Sequence, residues 1–113
     1  MRNLFMILIV FTVSLSSQAQ DKKSKNAKYN FDVNGNCEQC KKRIEKAAYS
    51  VAGVKSVDWN IDDHSLQLIL NEQKSSVLDV KKAVANVGHD TDEVKASDEV
   101  YKNLHSCCLY DRD

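Results

Sequence analysis

Two helical periods, each bracketed by runs of period two, constrain this chain more than any other feature. Ile44, Ala47, Ala48 and Val51 fall at i, i+3, i+4 and i+7. That spacing gathers apolar side chains into one stripe of a helix. Lys41, Lys42, Arg43, Glu45 and Lys46 sit largely off the stripe. A helix is expected over about 38–51, with Gly53 as its stop just past the last periodic residue. Val77, Val80, Val84 and Val87 repeat the pattern and predict a second helix over about 76–87, ended by Gly88.

The intervening runs alternate. Tyr29, Phe31 and Val33 share one face of a strand, and Val57, Trp59 and Ile61 share one face of another. Residues 66–70 read as a third strand, joined to the second through Asp62, Asp63, His64 and Ser65, where His64 is expected to be only a turn residue. Residues 89–96 have a poor composition for a strand and are expected to form a short edge strand. The order strand, helix, strand, strand, helix, weak strand is the split βαβ arrangement. The expected fold is α+β, a ferredoxin-like βαββαβ unit with an antiparallel sheet and both helices on one face. Its core is expected to hold Phe31, Val33, Ile44, Ala48, Val57, Trp59, Leu68, Leu70, Val80 and Val84. Residues 98–104 suit a helical turn or two.

A chain of 113 residues is one domain plus whatever is removed. Arg2, the apolar run from Leu4 to Leu15, and small residues at Ser17 and Ala19 form the pattern of a secretory signal peptide, 1–19, cut after Ala19. The run is short of the about 20 residues that span a bilayer. Residues 20–27 are polar and aperiodic and read as a flexible lead-in, 28–96 as the folded domain, and 97–113 as a C-terminal extension. The expected location is therefore exported, periplasmic or secreted, with no membrane association after cleavage. The full chain carries 16 basic and 16 acidic residues, and cleavage removes only Arg2, leaving a net charge of about −1. Nothing in that balance points to nucleic acid or an anionic membrane surface.

All four cysteines, Cys37, Cys40, Cys107 and Cys108, lie beyond the leader. In a short exported chain an even count is by default a disulfide framework. Cys37-Glu38-Gln39-Cys40 allows something else, because it stands where a Gly/Asn loop meets the first helix. Residues three apart are neighbours on a helix surface, so both sulfurs can meet above the helix N-terminus. The open N–H groups and the dipole there favour a thiolate. Two soft thiolates suit Cu(I) or another soft ion better than a hard cation. Lys41 and the helix end are expected to offset the charge of such a centre.

A strand leading to an x-x-C-x-x-C loop and a helix, inside βαββαβ, resembles the heavy-metal-associated domain family. That family includes copper chaperones, the mercury-binding periplasmic protein and the metal-binding domains of copper-transporting ATPases. The resemblance covers roughly 28–96. It is carried also by Ile44-Glu45-Lys46-Ala47 and by Val51-Ala52-Gly53-Val54-Lys55-Ser56-Val57, which match the family's helix and its G-V-x-x-V motif. It implies a metal-binding role for Cys37 and Cys40, with Cu(I) first and Zn(II) or Hg(II) as alternatives. The implied partners are a metal-transporting ATPase or another thiol-bearing metalloprotein, with the chain a monomer or a metal-bridged dimer.

The chain departs from the family in two places. The family usually reads G-M-x-C, whereas here Gly35 replaces the Met that pins the loop, so a more mobile loop is expected. His89 follows Gly88 on the loop that approaches the metal and is a candidate third ligand. Cys107 and Cys108 lie outside the family's core. In one reading the tail folds back and adds one or both thiols, alone or with His89 or His105, to a closed Cu(I) or Zn site. In the other the four cysteines pair as disulfides.

Three functions are compatible with these residues. The first is an exported chaperone or scavenger that binds a soft metal and passes it on by ligand exchange. The second is a thiol-disulfide redox protein using Cys37 and Cys40, but the chain has no proline and so lacks the cis-Pro of a thioredoxin-type site. The third is a disulfide-stapled interaction domain. No Ser/His/Asp set, phosphate-cradling loop or carboxylate pair is present to suggest a hydrolase or kinase, and no enzyme is expected.

Overall fold

The structure is a computed structural model, and it describes residues 23–112. The expected leader, 1–19, lies outside the described residues. In chain order the elements are β1 (Ala27–Asp32), α1 (Glu38–Tyr49), β2 (Val54–Trp59), β3 (Ser65–Leu70), α2 (Val77–Asn86), α3 (Asp98–Lys102) and a 3-10 turn at Ser106–Cys108.

The three strands form one antiparallel sheet in the order β1-β3-β2. β3 is central: Tyr29 and Val57 both pair with Leu68 across it. The period-two pattern sends Phe31, Val57, Trp59, Leu66, Leu68 and Leu70 to one face. There they meet Ile44, Ala47 and Ala48 of α1 and Val80 and Val84 of α2 in a single core. Every residue expected in the core is buried. Leu66, Cys40, Cys108 and Tyr110 join them.

Local chemistry sets the ends of these elements. Ser76 and Asp79 form a reciprocal capping box at the start of α2. Gly88, just past its end, has φ +108°, a conformation that a β-carbon would strain. The second strand ends at Trp59, short of Ile61, because the Asn60 side chain accepts from the Asp62 and Asp63 N–H groups and turns the chain. His64 sits in that turn at φ 63°.

The expected fourth strand is reduced to one bridge, Val33 to Thr91. The Thr91 hydroxyl accepts from the N–H groups of Glu93 and Val94 and donates to Val94 O. The Asp90 carboxylate takes the Ala96 N–H. Side chains thus claim the backbone groups that a strand would have offered to the sheet. Lys81, buried with its Nζ 4.9 Å from the Phe31 ring centroid, holds the same turn through Asp92 and Glu93.

Candidate metal centre

Cys37 is the N-cap of α1, in extended conformation, and Cys40 lies in its first turn. Their sulfurs are 3.4 Å apart. Cys40 is fully buried, while Cys37 is half-buried at the mouth of the helix. The loop before them is held from several sides. Asn34 N–H donates to Asp90 O at 2.9 Å, and Asn36 N–H points at Cys40 Sγ at 3.4 Å.

The loop is not left loose by the missing Met. A β-carbon on Gly35 would come within 3.0 Å of the Trp59 ring and 3.1 Å of Cys40 Cβ. The indole therefore stands against the bare glycine backbone. Its Nε1–H donates to Val33 O at 3.0 Å and to His64 O at 3.1 Å. A large side chain from β2 pins the loop that lacks its own anchor. The carbonyl of His64, expected to be only a turn residue, is part of this clamp.

The C-terminal extension folds back over the same point. Cys107 Sγ lies 3.3 Å and Cys108 Sγ 3.2 Å from Cys37 Sγ. Cys108 is fully buried and Cys107 exposed. The sulfurs of Cys37, Cys40 and Cys108 all lie within 4.8 Å of one another. All four cysteines are free thiols in the structure.

The tail is fastened firmly. Tyr110 is buried, donates from its hydroxyl to Gly88 O at 2.7 Å and accepts from Asp90 N–H at 2.9 Å. Arg112 grips the buried Asp90 carboxylate with Nε at 2.9 Å and Nη2 at 3.0 Å, and also reaches Asp98 and Ala96 O. Its guanidinium lies over the Tyr101 ring. Nothing in the sequence pattern announced these anchors. An aromatic and an arginine just after a cysteine pair were the available signal.

His89 is not among the side chains whose donor atoms converge. Its fully buried ring stacks on Tyr110, and Nδ1–H donates to Asn34 O at 2.8 Å. His89 thus positions the thiol loop against the tail. Its Nε2 and Arg43 Nη1 are the two buried side-chain polar atoms without a partner among the described residues. Burial holds the imidazole pKa down. Lys41 also departs from expectation: its ammonium is engaged by Glu45, Asp58 and Trp59 O, so charge compensation at the sulfurs falls to the helix end.

The sulfurs are electrically unequal. Partial burial opposes ionisation of Cys37 and is the largest single influence on it. The Cys40 N–H and the thiols of Cys108, Cys107 and Cys40 together outweigh it, and the pKa falls to about 6. Burial pushes Cys40 up to about 12, with the Cys108 and Cys37 thiols adding to the rise. The S–H of Cys107 donates to Cys37, which holds Cys107 up at about 11. One thiolate is thus surrounded by thiols that donate to it. Such a set of soft donors can bind a thiophilic ion, releasing protons as it does so.

Residues 30–90 match the heavy-metal-associated domain. The chain is 30% identical over 54 residues to the copper chaperone CopZ of Staphylococcus epidermidis, covering 48% of this chain and 79% of that one. Two solved structures superpose with a TM-score of 0.56. One is oxidized MerP from Ralstonia metallidurans, at 27% identity, covering 58% of this chain and 93% of that one. The other is the N-terminal domain of a potential copper-translocating P-type ATPase from Bacillus subtilis, solved in the Cu(I)-loaded state, at 31% identity, covering 58% and 84%.

Proposed function

From the premise that this chain belongs to the heavy-metal-associated domain family, we propose that it binds Cu(I) through Cys37 and Cys40, with Cys108 as a third thiol. The observation that carries this reading is the meeting of those three sulfurs at the mouth of α1. Copper is favoured by the soft donor set and by the names of the relatives. Zn(II) and Hg(II) are the competing cargoes.

In this reading the protein is an exported chaperone or scavenger. It passes the ion on when thiols of a partner, such as the metal-binding domain of a copper-transporting ATPase, replace its own one by one. Half-exposed Cys37 is the natural first point of exchange. Export is supported by Arg2, the apolar run and the Ala19 cut site. An intact mass beginning at Gln20 in the exported fraction checks it.

The metal assignment is tested by anaerobic titration of the reduced chain with Cu(I) and Zn(II) against competing chelators. The same titration is run on Cys37→Ser/Cys40→Ser. The double variant is expected to lose tight Cu(I) binding while its circular dichroism stays native-like. Binding that survives both substitutions would refute the ligand assignment.

A further inference from the structure

The four sulfurs are not disposed like the corners of a tetrahedron. Cys37 Sγ lies 3.4, 3.3 and 3.2 Å from those of Cys40, Cys107 and Cys108. Cys107 touches Cys37 and Cys108, the latter at 3.8 Å, but makes no sulfur contact with Cys40. The set is a fan with Cys37 at its hinge. A single tetrahedral ion with metal–sulfur bonds of about 2.3 Å needs all four donors evenly spread, about 3.8 Å apart. One donor close to three others is instead the arrangement of a shared thiolate.

Resting on the Cu(I)-binding reading above, we propose that the chain holds two Cu(I) ions in one thiolate cluster, with Cys37 shared between them. The inner ion takes Cys37, Cys40 and Cys108, the two buried sulfurs and the hinge. The outer ion takes Cys37 and the exposed Cys107. Each thiol that binds loses its proton to solvent. Four thiolates and two monovalent ions leave a charge of −2.

The surroundings suit that charge. Beside the fan runs a groove lined by Gln39, Lys42, Arg43, Lys46 and His105. Gln39 Oε1 lies 3.5 Å from Cys107 Sγ and marks where the groove meets the cluster. Lys42, Arg43 and Lys46 make no ion pair among the described residues, whereas Lys41, Lys81 and Arg112 do. Lys42 and Arg43, in the N-terminal half of α1, thus add unpaired positive charge to that of the helix end on the side where the cluster sits. Tyr110 and Arg112, anchored just beyond it, hold the tail that carries Cys107 there.

The test is native mass spectrometry of the reduced chain during anaerobic Cu(I) titration, paired with X-ray absorption at the copper edge. The wild-type monomer is expected to take two ions and to show copper–copper scattering once the second is bound. Cys107→Ser should take one ion and show no such scattering. Cys37→Ser should show none either, with circular dichroism reporting that the fold is kept. Saturation of the wild-type monomer at one ion overturns the proposal. So does a second ion without copper–copper scattering, or a pair found only in dimers. Failure to take up any Cu(I) would sink the parent reading, and this one with it.

Discussion

A thiol whose pKa lies near 6 is mostly thiolate at neutral pH, and Cys37 is the residue on which the site turns. Its value is depressed below the ordinary 9.0. The stability that Cys37 contributes to the metal-free fold is therefore fully present above pH 9, where the raised thiols of Cys40 and Cys107 begin to act in the opposite direction. It fades as the pH falls toward and through about 6, where the folded thiolate takes up its proton. Alkylation of the reduced, metal-free chain by iodoacetamide should follow the same titration. Modification of Cys37, located by peptide mapping, is expected to have a midpoint near pH 6, with Cys40 unreactive until far higher pH. A midpoint near 9 would show that the neighbouring thiols do not donate to Cys37. Gly35 makes a complementary point. Its lack of a side chain reads as a loss in sequence, yet it leaves room for Trp59 to hold the loop.

At the scale of elements, the tail and the segment 89–96 are fastened to each other, with one bridge, Val33 to Thr91, tying that segment to the end of the first strand. Arg112 to Asp90 is the central link, with the carboxylate only 2% exposed. Removing one partner of a buried ion pair leaves the other uncompensated, at a cost of about 3 kcal/mol. Arg112→Ala is expected to destabilise the fold by about that much in urea unfolding. It should also make Cys108 reactive toward a thiol reagent under native conditions. If Cys108 stays protected, the tail is held by Tyr110 alone. The three strands, both long helices and the position of the Cys37/Cys40 pair were legible because period, turn residues and spacing act locally. The fourth strand was not, because Thr91 and Asp90 spend their side chains on nearby backbone. The tail's docking was not, because Tyr110 and Arg112 find partners about 20 residues back with no periodicity to signal it.

For the molecule as a whole, the thiols come from both ends of the folded region and meet at one place. Binding there ties the extension to the domain, and an ion that binds only the folded state adds to its stability. At a free ion concentration about a thousandfold above Kd the gain is about 4 kcal/mol. For a domain of this size the melting midpoint of the reduced chain should rise by at least about 10 °C on Cu(I) loading. Cys37→Ser/Cys40→Ser should show little of that rise in the same calorimetric scan. An equal rise in both would place the ion elsewhere.

The chain has a single tryptophan, and it is Trp59. Its indole is separated from the first thiol loop by nothing bulkier than a glycine. Tryptophan emission from this protein therefore arises beside the sulfurs, so an ion bound there would have a native optical gauge that needs no dye and no label.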